Sequence, residues 1–135
     1  LPIAVGCTAG SAASMLSVYG LCRLFGLDGS LTVSLLPKSV TTPIAVSIAE
    51  PAGGMVPITV VAVIGTGILG SIIAPVLIRI FRVTDPVAAG LAIGASSHAV
   101  GTSKAIELGE VEGAMSGLAI GICGIITVLI SMAVL

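Results

Sequence analysis

The chain has 135 residues, of which 56% are hydrophobic and 8% are charged, and its formal net charge is -1. A soluble domain normally has about 25% charged residues, so this chain has too few polar side chains to cover a water-soluble domain. With one Tyr, two Phe, no Trp and no basic run, it also has no basis for a nucleic-acid surface. We therefore expect an all-α integral membrane protein.

Runs of about 20 apolar residues, the length that spans a bilayer core, occur five times in the chain. The predicted transmembrane segments are residues 2–25, 31–50, 56–80, 86–107 and 113–135. We treat residues 1–135 as a single membrane domain, and because it starts at Leu1 we expect it to be part of a longer protein. If all five segments cross, Arg23 and Arg82 lie on the same, cytoplasmic side. The second and fourth segments could instead re-enter the membrane, and this would overturn that orientation.

The second segment, 31–50, contains polar residues and prolines where an ordinary span is apolar. Prolines remove backbone hydrogen bonds, and the freed groups must be satisfied by protein or water inside a membrane. A charge near the middle of a span costs about 3 kcal/mol and is usually functional. We therefore predict a discontinuous helix that binds a ligand. The helix-breaking residues are Pro37 and Pro43, and the candidate binding residues are Lys38, Ser39, Thr41 and Thr42.

The fourth segment, 86–107, has a second interruption rich in hydroxyl groups and glycine. We expect a helix break at Gly101 and binding by Ser97, His98, Gly101 and Thr102. A cation, a histidine, hydroxyls and helix N-termini together suit a small anion such as a carboxylate. His98 could also carry a coupled proton, since an unperturbed histidine has a pKa of about 6.5.

A weak internal repeat relates the two interrupted segments at an offset of sixty residues. At this offset Thr42 corresponds to Thr102 and Glu50 to Glu110, while Lys38 falls opposite His98. Internal repeats with interrupted helices at corresponding positions are typical of the binding sites of secondary transporters.

Simpler roles remain open for the ionisable residues of the interrupted segments. Lys38 could extend to the membrane interface, and His98 could only join two helices by hydrogen bonds. Lys104 and Glu107 stand three residues apart, so we expect an ion pair between them. With one histidine, no metal-ligand set and no nucleophile near a base, we expect no enzyme activity, no metal and no cofactor.

Gly65, Gly67 and Gly70 form a G-x-G-x-x-G pattern after the apolar stretch 60–64, which resembles a dinucleotide-binding turn. A dinucleotide fold requires amphipathic helices with a solvated face, and the residues that follow the pattern have no polar face. We therefore predict that these glycines instead lie on a helix face that contacts a neighbouring helix.

Two strings, LLPKSVTTPIA and SSHAVGTSKAIELGEVEGAMSGLAIG, resemble the LrgB/CidB family of bacterial membrane proteins, which includes the C-terminal half of the plastidial glycolate/glycerate translocator. The resemblance extends from about Leu31 to Leu129. It implies that the chain is the C-terminal part of a longer LrgB-like protein. The membrane would be the bacterial plasma membrane, or the chloroplast inner envelope in a plant.

The resemblance implies two alternative functions. One is transport of small carboxylates such as pyruvate, glycolate or glycerate, and the other is holin-like or antiholin-like control of murein hydrolase activity and cell lysis. It also implies a small partner membrane protein of the LrgA/CidA type, and we expect a homo-oligomer. We favour the carrier, because a nonspecific pore has no need of a central Lys38 and a repeated polar interruption.

Overall fold

The computed structural model describes residues 1–135, and its regular structure is entirely helical. The six helices are α1 (Pro2–Leu24), α2 (Gly29–Leu35), α3 (Thr42–Ala49), α4 (Val56–Ile80), α5 (Pro86–Leu108) and α6 (Glu110–Val134). The prediction of an all-α chain is therefore confirmed.

Three of the six helices, α1, α4 and α6, are long and apolar enough to cross a membrane. They contain 23, 25 and 25 residues, with mean hydropathies of 1.3, 2.3 and 2.4. Much of their apolar surface is exposed, including Leu16, Ile72 and Met132. A soluble protein of this size rarely exposes so much apolar surface, whereas a bilayer covers it. The chain is a membrane protein.

Helices α1 and α6 run in the same direction along the bundle. Cys7, near the start of α1, packs against Ala119 and Cys123, whereas Met15 lies in a cluster with Ile130. Later residues of α1 thus contact later residues of α6, so the two helices are parallel. We call the end of the bundle where α1 begins the upper end, and the opposite end the lower end.

Residues 29–49, which we call hairpin 1, leave the lower end and return to it. Helix α2 enters the bundle, residues 36–41 form a turn, and α3 leads back. The Ser30 hydroxyl at the start of α2 donates to the carbonyl of Gly53, which follows α3, at 2.8 Å. Met55 N donates to Ser34 Oγ at 2.7 Å. Because both ends of the hairpin meet, α4 starts at the lower end.

Residues 86–108, which we call hairpin 2, form a similar unit at the upper end. Helix α5 is interrupted at His98, whose φ is 43° and ψ is -141°. The first arm, 86–97, runs in the same direction as α6, since a Cβ on Gly90 would lie 2.8 Å from Met115 and one on Gly94 equally close to Ala119.

The second arm of hairpin 2, residues 99–108, runs back against α6. The hydroxyls of Thr102 and Ser116 share a hydrogen bond of 2.7 Å. Further along, a Cβ on Gly113 would lie 2.7 Å from Ile106. Later residues of this arm thus contact earlier residues of α6, so the arm is antiparallel to α6. Hairpin 2 therefore begins and ends at the same end of the bundle.

That end is the upper one, because α1 and α5 both begin there. Pro2 of α1 and Asp85, which precedes α5, line one cleft between the two helices. Helix α4 thus runs from the lower to the upper end, opposite to α1 and α6.

The structure differs from the predicted topology in three respects. Five crossing segments are not confirmed, because 31–50 and 86–107 each fold back within a hairpin. The break in the fourth segment lies at His98 and not at Gly101, since a positive φ at a residue other than glycine reverses the chain there. Arg23 and Arg82 lie at opposite ends of the bundle, so the two arginines are not on the same side as expected.

The connections before the two hairpins have the same construction. Each long helix ends with a residue at positive φ, Gly26 at 67° and Arg82 at 52°. The next residue then donates to a carbonyl five positions back: Leu27 N to Cys22 O at 2.9 Å, and Val83 N to Ile78 O at 3.0 Å. This is the Schellman arrangement, which satisfies the last carbonyls of a helix.

An aspartate then caps the helix that follows each connection. Asp28 accepts a hydrogen bond from Leu31 N at 2.7 Å, and Asp85 accepts one from Val87 N at 2.9 Å. These side chains satisfy backbone donors that a helix start leaves free. Helix α1 with hairpin 1 and helix α4 with hairpin 2 are therefore similar units that run in opposite directions.

Candidate functional site

Lys38 lies at the tip of hairpin 1, inside the bundle. Its ammonium group donates to Ser39 Oγ at 3.2 Å, and Ser39 Oγ shares a 2.8 Å hydrogen bond with Ser14 Oγ of α1. The side chain is partly buried, and no carboxylate forms an ion pair with it. A partly buried cation beside hydroxyl groups and without a counter-ion can bind an anion.

The start of α3 adds backbone donors to the same tip. Thr41 is the N-cap residue, Thr42 begins the helix, and Pro43 lies in its first turn. No side chain caps the helix, so its first backbone N–H groups have no side-chain acceptor. The partial positive charge of a helix start favours an anion next to Lys38.

His98 lies at the tip of hairpin 2 and is buried, with 4% of its surface exposed. Its Nε2 atom is 2.9 Å from the carbonyl oxygen of Val63 in α4. A carbonyl oxygen only accepts hydrogen bonds, so the imidazole donates from Nε2. Thr102 Oγ1 donates to the His98 carbonyl, four residues earlier, at 3.0 Å.

Ser97 and Gly101 lie where hairpin 2 approaches other parts of the chain most closely. A Cβ on Gly70 of α4 would lie 2.6 Å from Ser97 Cβ, so the Ser97 side chain occupies the space that this glycine leaves. A Cβ on Gly101 would lie 3.1 Å from Ile93 Cγ2. Gly101 therefore allows the two arms to pack closely.

The two tips meet at one residue of α4, Val63. Val40 and Ala45 of hairpin 1 cluster with the Val63 side chain, while His98 of hairpin 2 binds the Val63 carbonyl. No hydrogen bond joins the polar groups of the two tips, because Lys38 bonds to Ser39 and His98 bonds to the Val63 carbonyl. The structure therefore divides the predicted residues into two groups. Lys38, Ser39, Thr41 and Thr42 form one group, and Ser97, His98, Gly101 and Thr102 form the other.

Three residues that the sequence analysis did not single out complete these groups: Ser14, Val63 and Ser116. Ser14 and Ser116 are single hydroxyls in apolar segments, and only the fold shows that they face Ser39 and Thr102. Val63 contributes a backbone carbonyl, which every residue type has, so its side chain gave no polar signal.

The expected ion pair between Lys104 and Glu107 is present on the surface of the second arm of hairpin 2. Both side chains are solvent-accessible, so the pair contributes little to stability.

The glycine pattern at 65–70 lies inside α4, which is helical from Val56 to Ile80. The strand that a dinucleotide-binding turn follows is therefore missing. A Cβ on Gly67 would lie 2.7 Å from His98 Cε1 and 2.8 Å from Val100 Cβ, and Gly70 contacts Ser97. Gly65 has no neighbouring atom within 4 Å. The prediction of a helix-contact face is correct for Gly67 and Gly70 and wrong for Gly65.

Two clefts with largely apolar walls pass beside the tips. One, of about 710 Å³, lies between α1, α2 and α6, with Tyr19 and Arg23 among its lining residues. The other, of about 540 Å³, lies between α1 and the first arm of hairpin 2, and Asp85 and Ser96 are among its lining residues. Neither Lys38 nor His98 lines either cleft.

Comparison with known proteins identifies one family over the whole chain. The model of the LrgB-like family matches residues 1–135. The uncharacterized protein YxaC of Bacillus subtilis (strain 168) is 39% identical over 126 residues, which cover 93% of this chain and 55% of that protein. The uncharacterized protein YwbG of the same strain is 42% identical over 118 residues, covering 87% and 52%.

A third relative has a functional name. The antiholin-like protein LrgB of Bacillus mycoides (strain KBAB4) is 40% identical over 121 residues, which cover 90% of this chain and 53% of that protein. The chain thus spans about half the length of these relatives. No solved structure matches it.

Proposed function

Because the chain belongs to the LrgB-like family, we propose that the full-length protein has an antiholin-like role, restraining murein hydrolase activity and cell lysis in a bacterial plasma membrane. The observation that carries this proposal is the name of the relatives. LrgB proteins of Bacillus mycoides and of Bacillus cereus (strain B4264) are called antiholin-like, at 40% and 39% identity.

In the proposed membrane arrangement, α1, α4 and α6 cross the bilayer, and the two hairpins enter it from opposite sides. Irregular backbone at membrane depth is tolerated where protein surrounds it, and both tips are covered by other helices.

Partner proteins belong to the proposal too. We propose that a small membrane protein of the LrgA/CidA type and further copies of the chain associate with it, and that it has no enzyme activity.

The antiholin-like proposal is tested by lysis of living cells. The full-length gene would be deleted from its host and restored on a plasmid, and the fall in culture turbidity would be followed in non-growing cells. Deletion should accelerate lysis, and the restored gene should return it to the wild-type rate. Equal lysis in the deleted and restored strains would overturn the proposal.

A second candidate function, transport of small carboxylates, is favoured by a specific observation. Two similar units run in opposite directions, and their interrupted hairpins meet at Val63. Secondary transporters built from inverted repeats bind substrates where such interrupted helices meet. The unpaired ammonium of Lys38 and the start of α3 suit a carboxylate such as pyruvate, glycolate or glycerate.

Uptake into liposomes that contain the full-length protein tests the carrier. Lys38→Met keeps the side-chain length and removes the charge. A hydrogen bond to a charged group contributes about 1.5–3 kcal/mol, so we expect uptake of labelled carboxylate to fall roughly 10- to 100-fold. Lys104→Met is the matched control, because Lys104 lies on the surface with Glu107, and its uptake should remain at the wild-type rate.

Uptake that is unchanged in Lys38→Met, at equal amounts of reconstituted protein, would overturn the carrier site. A neutral analogue of the same size should not compete for uptake. The same variant separates the two functions in cells. If Lys38→Met loses uptake and still restrains lysis, the antiholin-like role does not depend on transport.

A further inference from the structure

The tip of hairpin 2 fits into a notch on α4 that two glycines create. A Cβ on Gly67 would lie 2.7 Å from His98 Cε1 and 2.8 Å from Val100 Cβ, and one on Gly70 would lie 2.6 Å from Ser97 Cβ. A real Cβ atom essentially never has a non-bonded neighbour this close. The glycine notch, Gly67 with Gly70, therefore accepts the tip only because both residues lack a side chain.

The backbone of His98 is held in a conformation that residues with a side chain rarely adopt. Its φ of 43° and ψ of -141° lie outside the main allowed regions. Such conformations persist only when the surrounding contacts hold them, and they occur preferentially at sites that change shape. The contacts here are the Nε2 bond to the Val63 carbonyl and the Thr102 hydroxyl on the His98 carbonyl.

We propose that hairpin 2 is a gate, and that His98 is the positioning residue that keeps it closed on the glycine notch. In the open state Ser97 and His98 leave α4, and hairpin 2 moves toward the upper end, where both of its arms are attached. The close fit of Gly90 and Gly94 against α6 keeps hairpin 2 and α6 together during this movement.

Opening the gate exposes the part of α4 against which hairpin 1 also packs. Val63 bonds to His98 through its carbonyl and contacts Val40 and Ala45 through its side chain. Withdrawal of His98 thus gives access from the upper end toward the Lys38 tip. What the gate admits depends on the carrier proposal, whereas the movement itself can be measured without any substrate.

The test measures how fast a cysteine in the notch reacts with a maleimide that cannot cross membranes. Ser97→Cys is introduced into full-length protein whose native cysteines are replaced by alanine, and the protein is reconstituted into liposomes. Ser97 is 1% exposed, so a cysteine there reacts only when the tip leaves the notch. The reagent is added from each side separately.

Gly67→Ala should hold the gate open, because its methyl group occupies the position of the imidazole. We expect the labelling rate at position 97 to rise roughly tenfold, equivalent to about 1.4 kcal/mol in the gate equilibrium. The increase should occur only with reagent at the upper side. Gly65→Ala is the matched control, because nothing lies within 4 Å of that residue, and its rate should not change.

His98→Asn provides an independent variant if Gly67→Ala does not fold. Asparagine, like histidine, is enriched at positive φ, but its side chain is too short to reach the Val63 carbonyl. We expect faster labelling from the upper side in a protein that remains folded. Equal labelling rates in His98→Asn, Gly65→Ala and the parent protein would overturn the gate. That result would leave uptake and control of lysis unaffected, so it differs from failure of either proposed function.

Discussion

Ser34 shows how one buried hydroxyl connects hairpin 1 to α4. The side chain is fully buried, its Oγ donates to the Ser30 carbonyl at 2.6 Å, and it accepts from Met55 N at 2.7 Å. The carbonyl of Ser34 in turn accepts a hydrogen bond from Thr59 Oγ1 at 2.9 Å. The start of α4 therefore depends on a side chain from α2 to accept the hydrogen bond of its N-cap residue, Met55.

Ser34→Ala should lower the free energy of unfolding by about 1–3 kcal/mol, because the Met55 N–H is then left without its acceptor. Ser47→Ala is the control, since Ser47 is exposed and its hydroxyl bonds only to Ile44 O within its own helix. The melting temperatures of the purified full-length variants measure the difference. Equal melting temperatures for the two variants would show that Ser34 has no such role.

At the scale of helices, run length and hydropathy predicted the three long apolar helices α1, α4 and α6. The reversal at each tip could not be predicted, because it depends on contacts between distant residues. His98, for example, is held by the Val63 carbonyl, 35 residues away. The predicted helix break at Gly101 followed local glycine propensity, but this residue is needed for close packing between the arms.

The separation of the predicted site into two groups has the same physical cause. A sequence offset relates Lys38 to His98, but an inverted unit enters the bundle from the opposite end, so equivalent residues approach from opposite directions. Each tip then bonds first to its own surroundings, Ser39 and Ser14 for Lys38, and Val63 for His98.

The helix cap after α4 predicts that replacing arginine by glycine has opposite effects on stability at Arg82 and at Arg79. Arg82 has a φ of 52°, which costs a residue with a side chain about 1–2 kcal/mol and glycine little. Arg82→Gly should therefore stabilise the protein by about 1 kcal/mol. Arg79→Gly removes the same charge inside the last turn of α4, where glycine destabilises by about 1 kcal/mol. Melting temperatures that shift in the same direction for both variants would contradict this explanation.

At the scale of the whole molecule, the antiparallel units place Arg23 and Arg82 at opposite ends of the bundle. With two hairpins that return to the ends where they begin, only α1, α4 and α6 change ends. In the proposed membrane arrangement, Arg23 follows one crossing and Arg82 follows two, so they lie on opposite sides. A rule that counts positive charges cannot detect this difference, because a hairpin and a crossing segment have similar hydropathy.

Labelling from each side of the membrane distinguishes three crossings from five. Single cysteines would replace Phe25, Ala52 or Phe81, all exposed near helix ends, in full-length protein without other cysteines. If hairpin 1 returns to the lower end, Phe25→Cys and Ala52→Cys react with an impermeant maleimide on the same side, and Phe81→Cys reacts on the other. Five crossings predict a different pairing, with positions 25 and 81 together and position 52 opposite. Because only the pairing is compared, the test does not depend on which side is cytoplasmic, and the second pattern would rule out the hairpin topology.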